Sequence, residues 1–264
     1  MRIVVKVGTS TLAHATGRLN IRHVEALCKT LADLQNCGHR VVLVSSGAIG
    51  MGVGKLMLAQ KPADIATKQA AAAVGQCELM YVYDKLLGDY NHTVAQVLLT
   101  AEDVEDPVRR ANIETTLERL LELGAIPIIN ENDTVGTEEI RVGDNDTLSA
   151  IVAVSVKADL LVLLSDIDGL YTADPRKDPQ AKLIPYVEEL TPDILKSGAG
   201  AGTAQGTGGM RTKLTAALTA TGHGIPMVIA NGEDPTCLYD IAAGKPVGTR
   251  FAAHMKHSAK AVDV

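Results

Sequence analysis

The chain has 264 residues, 46% of them hydrophobic and 21% charged, with a net charge of −6, enough for one large α/β domain or two small ones and a core that buries roughly three quarters of the unfolded surface. No apolar run reaches the ~20 residues of a membrane helix, and the apolar content is too high for disorder, so membrane and disordered classes drop out. Aromatic residues make up 3%, with no Trp and one Phe, which together with the negative charge argues against a nucleic-acid surface.

In chain order, short β-branched runs alternate with stretches of helical spacing. A strand is expected over Arg2 to Val7, followed by Gly8-Thr9-Ser10 and a helix over Arg22 to Asn36. A second strand, Arg40 to Val44, leads into Ser45-Ser46-Gly47-Ala48, and a long helix spans Pro62 to Leu87. Thr93 to Leu98 reads as a third strand. After Pro107, residues Ile113, Leu117, Leu120 and Leu121 fall on one helical face. Ile126 to Ile129 is a fourth strand that runs into Asn130-Glu131-Asn132-Asp133, with a hairpin expected over Thr134 to Val142 and a helix over Asn145 to Val156. Leu160 to Leu164 precedes Ser165-Asp166-Ile167-Asp168-Gly169, and the last pair is a helix over Met210 to Gly222 and a strand over Ile225 to Ile229. Such alternation means a mostly parallel sheet covered on both faces. The polar stretch Thr172 to Pro185 is the best place to divide two lobes.

In such a sheet ligands collect beyond the carboxyl ends of the strands, where four small or polar clusters converge. Gly8, Thr9 and Ser10 suit an anion approaching backbone N–H groups, or make a plain turn. Lys6 favours the anion, because an unpaired ammonium inside an apolar strand is costly. Gly198 to Gly209 holds six glycines and opens directly into a helix with Lys213 in its first turn. This run can wrap a polyphosphate at the positive helix end, or act as a linker. The amides and carboxylates of 130–133 and 143–146 suit a zwitterionic amino acid, while Asp144 or Asn145 also suits a helix N-cap.

Gly50 to Leu56 is not a P-loop: its glycines are misplaced and Leu56 stands where a hydroxyl is needed. Ser46 lacks the glycine of a nucleophile elbow, and the scattered histidines give no metal-ligand spacing. Cys28, Cys37, Cys77 and Cys237 form neither a Cys-x-x-Cys pair nor a disulfide framework, and the start reads as a strand, so the cytoplasm is the expected location.

Six motifs in order, Val5-Lys6-Val7-Gly8-Thr9-Ser10, Ser46-Gly47-Ala48-Ile49, Asn130-Glu131-Asn132-Asp133, Val142-Gly143-Asp144-Asn145-Asp146, Gly169 to Pro175 and Gly206 to Lys213, resemble the amino acid kinase family, in particular its glutamate-phosphorylating branch. The resemblance implies an αβα sandwich around a mainly parallel eight-stranded sheet. It implies a single domain over 1–264, whose N-terminal lobe (about 1–170) binds glutamate and whose C-terminal lobe (about 171–264) binds ATP. It also implies a homo-oligomer, a dimer or tetramer, that uses ATP and Mg in the first step of proline synthesis. Carried over residue by residue, Lys6 and Lys213 contact the phosphoryl group in flight and Asp146 holds both lysines. Ser46, Asp133 and Asn145 bind glutamate. Ser165 and Asp166, with Thr207, Gly208, Gly209, Met210, Arg211, Thr212 and Lys213, line the ATP site; no residue is expected to hold a metal on the protein alone.

Overall fold

The computed structural model describes residues 1–14, 18–60, 62–136, 145–197 and 209–253. Among them the strands are β1 (Arg2–Val7), β2 (Arg40–Ser45), β3 (Val94–Leu99), β4 (Ile126–Glu131), β5 (Leu160–Ser165), β6 (Tyr186–Val187), β7 (Met227–Asn231) and β8 (Thr249–Phe251). The helices are α1 (Thr9–Leu12), α2 (Ile21–Asn36), α3 (Ala48–Lys55), α4 (Ile65–Gly88), α5 (Ala101–Glu105), α6 (Pro107–Glu122), α7 (Asn145–Ser155), α8 (Pro192–Ser197), α9 (Met210–Gly222) and α10 (Cys237–Ala242).

All eight strands join one sheet in the order β3-β4-β2-β1-β5-β7-β8-β6. Neighbours are parallel except β7 and β8, which run antiparallel. The six expected strands are all present. However, β2, β4 and β5 run one or two residues past their expected ends, so Ser45, Asn130, Glu131 and Ser165 close strands rather than open loops. β6 and β8 are additions to the strand reading, as are helices α1, α3, α5, α8 and α10. The expected division at Thr172 to Pro185 falls on a connection bridged at Tyr171 and Leu183, and the sheet continues across it. Most of the hairpin expected over Thr134 to Val142 lies outside the described residues, and Thr134 and Val135 form a turn.

Side-chain alternation divides the core between the two faces of the sheet. Ile3, Val5 and Val7 of β1 pack with Leu27 and Leu31 of α2, Leu79 and Tyr83 of α4 and Leu238 of α10. Val4 faces the other way, toward Leu117 and Leu121 of α6, Leu148 and Val152 of α7, and Leu214 and Ala217 of α9. Each fully buried aliphatic side chain contributes about 1.5–3 kcal/mol, so two aliphatic layers suffice without tryptophan. The same alternation turns Lys6 to the Val4 face, toward α7 and α9. No helix among the described residues is long and apolar enough to cross a membrane.

Local chemistry sets the helix starts. Asp64 accepts a hydrogen bond from the Thr67 backbone N–H at 2.8 Å and starts α4, three residues later than the run from Pro62 suggested. Asp106 accepts from Val108 and Arg109, with Pro107 at the first position of α6. The stretch that superficially suggests a P-loop is helix α3, laid directly on α4. A Cβ at Gly52 would sit 1.8 Å from the Ala71 carbonyl oxygen, and one at Gly75 would sit 1.7 Å from that of Ala48. Here glycine serves backbone-to-backbone approach.

Candidate active site

Lys6, in the central strand, is 7% exposed; Asp146, in the first turn of α7, is fully buried; Lys213, in the first turn of α9, is 5% exposed. The Lys6 ammonium lies 2.5 Å from Asp146 Oδ1, and the Lys213 ammonium lies 3.0 Å from Oδ2. The Thr212 hydroxyl also lies 3.0 Å from Oδ2. Removing three charges from water is costly unless they are mutually paired. Lys213 also stands at the positive end of its own helix, a position unfavourable to a cation, and Asp146 offsets this. Burial alone would raise the Asp146 pKa, but the neighbouring Lys6 and Lys213 ammonium groups override it and hold the carboxyl down at about 2, from an ordinary 3.8. The cluster therefore carries one net positive charge inside the protein, a fixed complement to an anion.

A carboxyl with a depressed folded-state pKa contributes stability that is present above its unfolded pKa and lost as the pH falls through its folded one. We expect the stability gap between wild type and Asp146→Asn, read by urea denaturation, to be constant above about pH 5. It should narrow by on the order of 2 kcal/mol between about pH 4 and pH 2. A gap that widens on acidification contradicts the pairing.

Beside this triad, Asn145 reaches the end of β2: its Nδ2 lies 2.7 Å from Ser46 Oγ and 3.1 Å from the Ser45 carbonyl oxygen. It also donates to Asn130 Oδ1 at 3.0 Å, and Asn130 Nδ2 in turn donates to Gln76 Oε1 on α4 at 2.9 Å. Asn145 occupies the first position of α7 rather than its N-cap, and Asp144 lies outside the described residues. Asp133 lies on the turn after β4 and lines a solvent-open cleft with Ile49, Ile65, Lys68, Gln69, Glu131 and Gly136.

On the other side of β1, Ser165 closes β5 and its hydroxyl lies 3.2 Å from Asp166 Oδ1. Asp166 is exposed and pairs with Arg176 at 3.6 Å, a partner not expected from sequence. Gly209 is the N-cap of α9, Met210 is buried, Arg211 is exposed, and Thr212 faces Asp146. Thr207 and Gly208 lie outside the described residues.

The structure thus brings Lys6, Asp146, Lys213 and Thr212 together, and Ser46 with Asn145. Sequence reading missed Gln76 and the α4 cleft residues Ile65, Lys68 and Gln69. Nothing near them marks a site, because they reach it only through the packing of α4. Asn130 was within a recognised cluster, and its place at the end of β4 singles it out.

The amino acid kinase family model matches residues 1–231. The chain is 56% identical over 251 residues to the glutamate 5-kinase of Clostridium tetani, covering 95% of this chain and 94% of that protein. It is 55% identical over 251 residues to the glutamate 5-kinase of Symbiobacterium thermophilum, covering 95% of each. Among solved structures, the carbamate kinase from Giardia lamblia bound to AMP-PNP superposes with a TM-score of 0.69 at 16% identity, covering 96% of this chain and 98% of that one. The UMP kinase from Bacillus anthracis does so with a TM-score of 0.66 at 17% identity, covering 96% of each; these two show the fold alone. On the family match and the identity to these relatives, the chain belongs to the amino acid kinase family and is a kinase.

Proposed function

We propose that this kinase transfers the γ-phosphoryl group of ATP to the side-chain carboxylate of L-glutamate, giving L-glutamyl 5-phosphate and ADP, the first step of proline synthesis in the cytoplasm. Identity above 50% to relatives named glutamate 5-kinase supports the choice of acceptor. The observation that carries the chemistry is the buried pair of ammonium groups on one carboxylate.

The acceptor carboxylate is already ionised at neutral pH, so the reaction needs no general base. The difficulty is an anion approaching an anion. A carboxylate oxygen attacks the γ-phosphorus as the bond to the bridging oxygen breaks, and ADP departs with that electron pair. In this reading Lys6 and Lys213 neutralise charge on the transferring group while Asp146 keeps them converged. Ser46, Asp133 and Asn145 hold glutamate in the N-terminal lobe (about 1–170). Ser165, Asp166 and the segment Thr207 to Lys213 line the ATP site in the C-terminal lobe (about 171–264). Among the described residues no group of three His, Cys, Asp or Glu side chains is placed to hold a metal, and both Asp146 oxygens face ammonium groups. Magnesium carried by the ATP phosphates would supply further positive charge to the transferring group.

The test is incubation of the protein with ATP, magnesium and hydroxylamine together with glutamate, aspartate, N-acetylglutamate or UMP in turn. Hydroxamate with glutamate alone supports the reading; ADP release with UMP alone overturns it. Asp133→Ala should raise KM for glutamate about 10- to 100-fold with kcat little changed, since pairing with the substrate ammonium is equally strong in ground and transition states. Steady-state kinetics in which kcat falls and KM holds would remove Asp133 from that role.

A further inference from the structure

Gln76 lies on α4 and is 6% exposed. Its Oε1 accepts from Asn130, yet its Nε2 is buried with no hydrogen-bond partner among the described residues. An unpaired buried donor costs about 1–3 kcal/mol, so an apolar side chain of the same length would be the more stable choice if packing alone were at stake. The carbonyl end of the amide is what the position uses.

The polarity of the amide chain is set by the backbone at two points. Glu131 N–H donates to Asn130 Oδ1 at 2.9 Å, and a backbone N–H can only donate, so Asn130 must turn its oxygen there and its NH2 toward Gln76. The Ser45 carbonyl can only accept, so Asn145 must turn its NH2 toward it and toward Asn130. Asn145 Oδ1 is then left buried without a partner among the described residues. Ser46 Oγ accepts from the same NH2, so its own O–H points elsewhere. Among the described residues the end of the chain therefore offers one acceptor without a partner, Asn145 Oδ1, beside a donor with none, the Ser46 hydroxyl, immediately next to Asp146.

We propose that Gln76 is a positioning residue for acceptor-substrate recognition: by accepting from Asn130 Nδ2 it reinforces the polarity that the Glu131 N–H and the Ser45 carbonyl set, in which Asn145 Oδ1 faces the ammonium of an amino-acid substrate. This rests on the glutamate reading above and deepens it. Without the Gln76 acceptor, Asn130 Nδ2 is stranded, rotation of the Asn130 amide costs one bond fewer, and the orientation of Asn145 rests on Ser45 and Ser46 alone.

The experiment measures KM and kcat for glutamate, KM for ATP, and the preference for glutamate over glutarate, which lacks the ammonium, in wild type, Gln76→Met, Gln76→Ala and Gln76→Glu. Gln76→Met should raise KM for glutamate at least tenfold and reduce the glutamate-to-glutarate ratio of kcat/KM by a similar factor, with KM for ATP within about twofold of wild type. Gln76→Glu keeps an acceptor oxygen whether ionised or not, and should recover KM to within about threefold. Gln76→Ala should behave like Gln76→Met and carries the test if the latter does not fold. In an Asn130→Ala background, Gln76→Met should have no further effect on KM, because Gln76 acts through Asn130. Unchanged KM and preference in the single variants, or equal losses for glutamate, glutarate and ATP, overturn the proposal while leaving the glutamate reading intact. Failure of the wild type to phosphorylate glutamate overturns both.

Discussion

Lys6→Ala and Lys213→Ala should each lower kcat by about a hundred- to a thousandfold and change KM for glutamate far less. At an effective dielectric of about 20, a unit charge at 4 Å contributes about 4 kcal/mol, of which the part realised only as charge shifts on the phosphoryl group appears in kcat, on the order of 3–4 kcal/mol. Glutamate in the ground state gains little from either ammonium group, so its KM should hold. Stability should respond differently. Each variant leaves Asp146 with one ammonium partner instead of two, and the remaining pair stays neutral overall. The variants should therefore fold, with thermal unfolding lowered far less than the loss of activity would suggest. Steady-state kinetics in which KM rises and kcat holds would show that the lysines bind substrate rather than stabilise transfer.

Gly75→Ala should destabilise the fold severely although it improves helix propensity by roughly 1 kcal/mol. The added methyl would meet the Ala48 carbonyl oxygen at 1.7 Å and the Gly52 nitrogen at 2.4 Å. Both are backbone atoms that cannot rotate away, so α3 must separate from α4. Overpacking of this kind costs typically 1–3 kcal/mol, and the upper end is expected here. A loss of about 3 kcal/mol lowers the midpoint of a chain this long by roughly 6–12 °C. Because α3 follows Ser46 and α4 carries Gln76, KM for glutamate should rise as well. An unchanged Tm would show that α3 moves freely, which the packing contradicts.

How far the fold is legible in the sequence depends on how local the governing physics is. β1, β2, β4 and β5 are near-continuous apolar runs and read directly. β6 and β8 have two and three residues, too short for any periodicity to register, and exist because Phe251 and Val187 are covered by the sheet edge and its helices. The glycines of α3 lower its intrinsic propensity and disguise a helix whose stability comes from the neighbour it touches. In the site, Lys6 is legible because a cation in an apolar strand demands a partner, and the Asn130 to Asp133 and Asn145–Asp146 clusters are dense enough to notice. The amide chain to Gln76 is not, since it joins residues 54 and 15 positions apart through single hydrogen bonds.

The placement of β1 in the middle of the sheet has a consequence during biosynthesis. β2 can pair with one side of β1 soon after both leave the ribosome, but the other side waits for residues 160–165, and β5 in turn waits for β7. For most of translation the nascent chain thus presents an open, strongly apolar strand edge, the feature that templates aggregation. Slow, late-completing folding is the expected cost of setting the strand that bears Lys6 between partners so far apart in sequence.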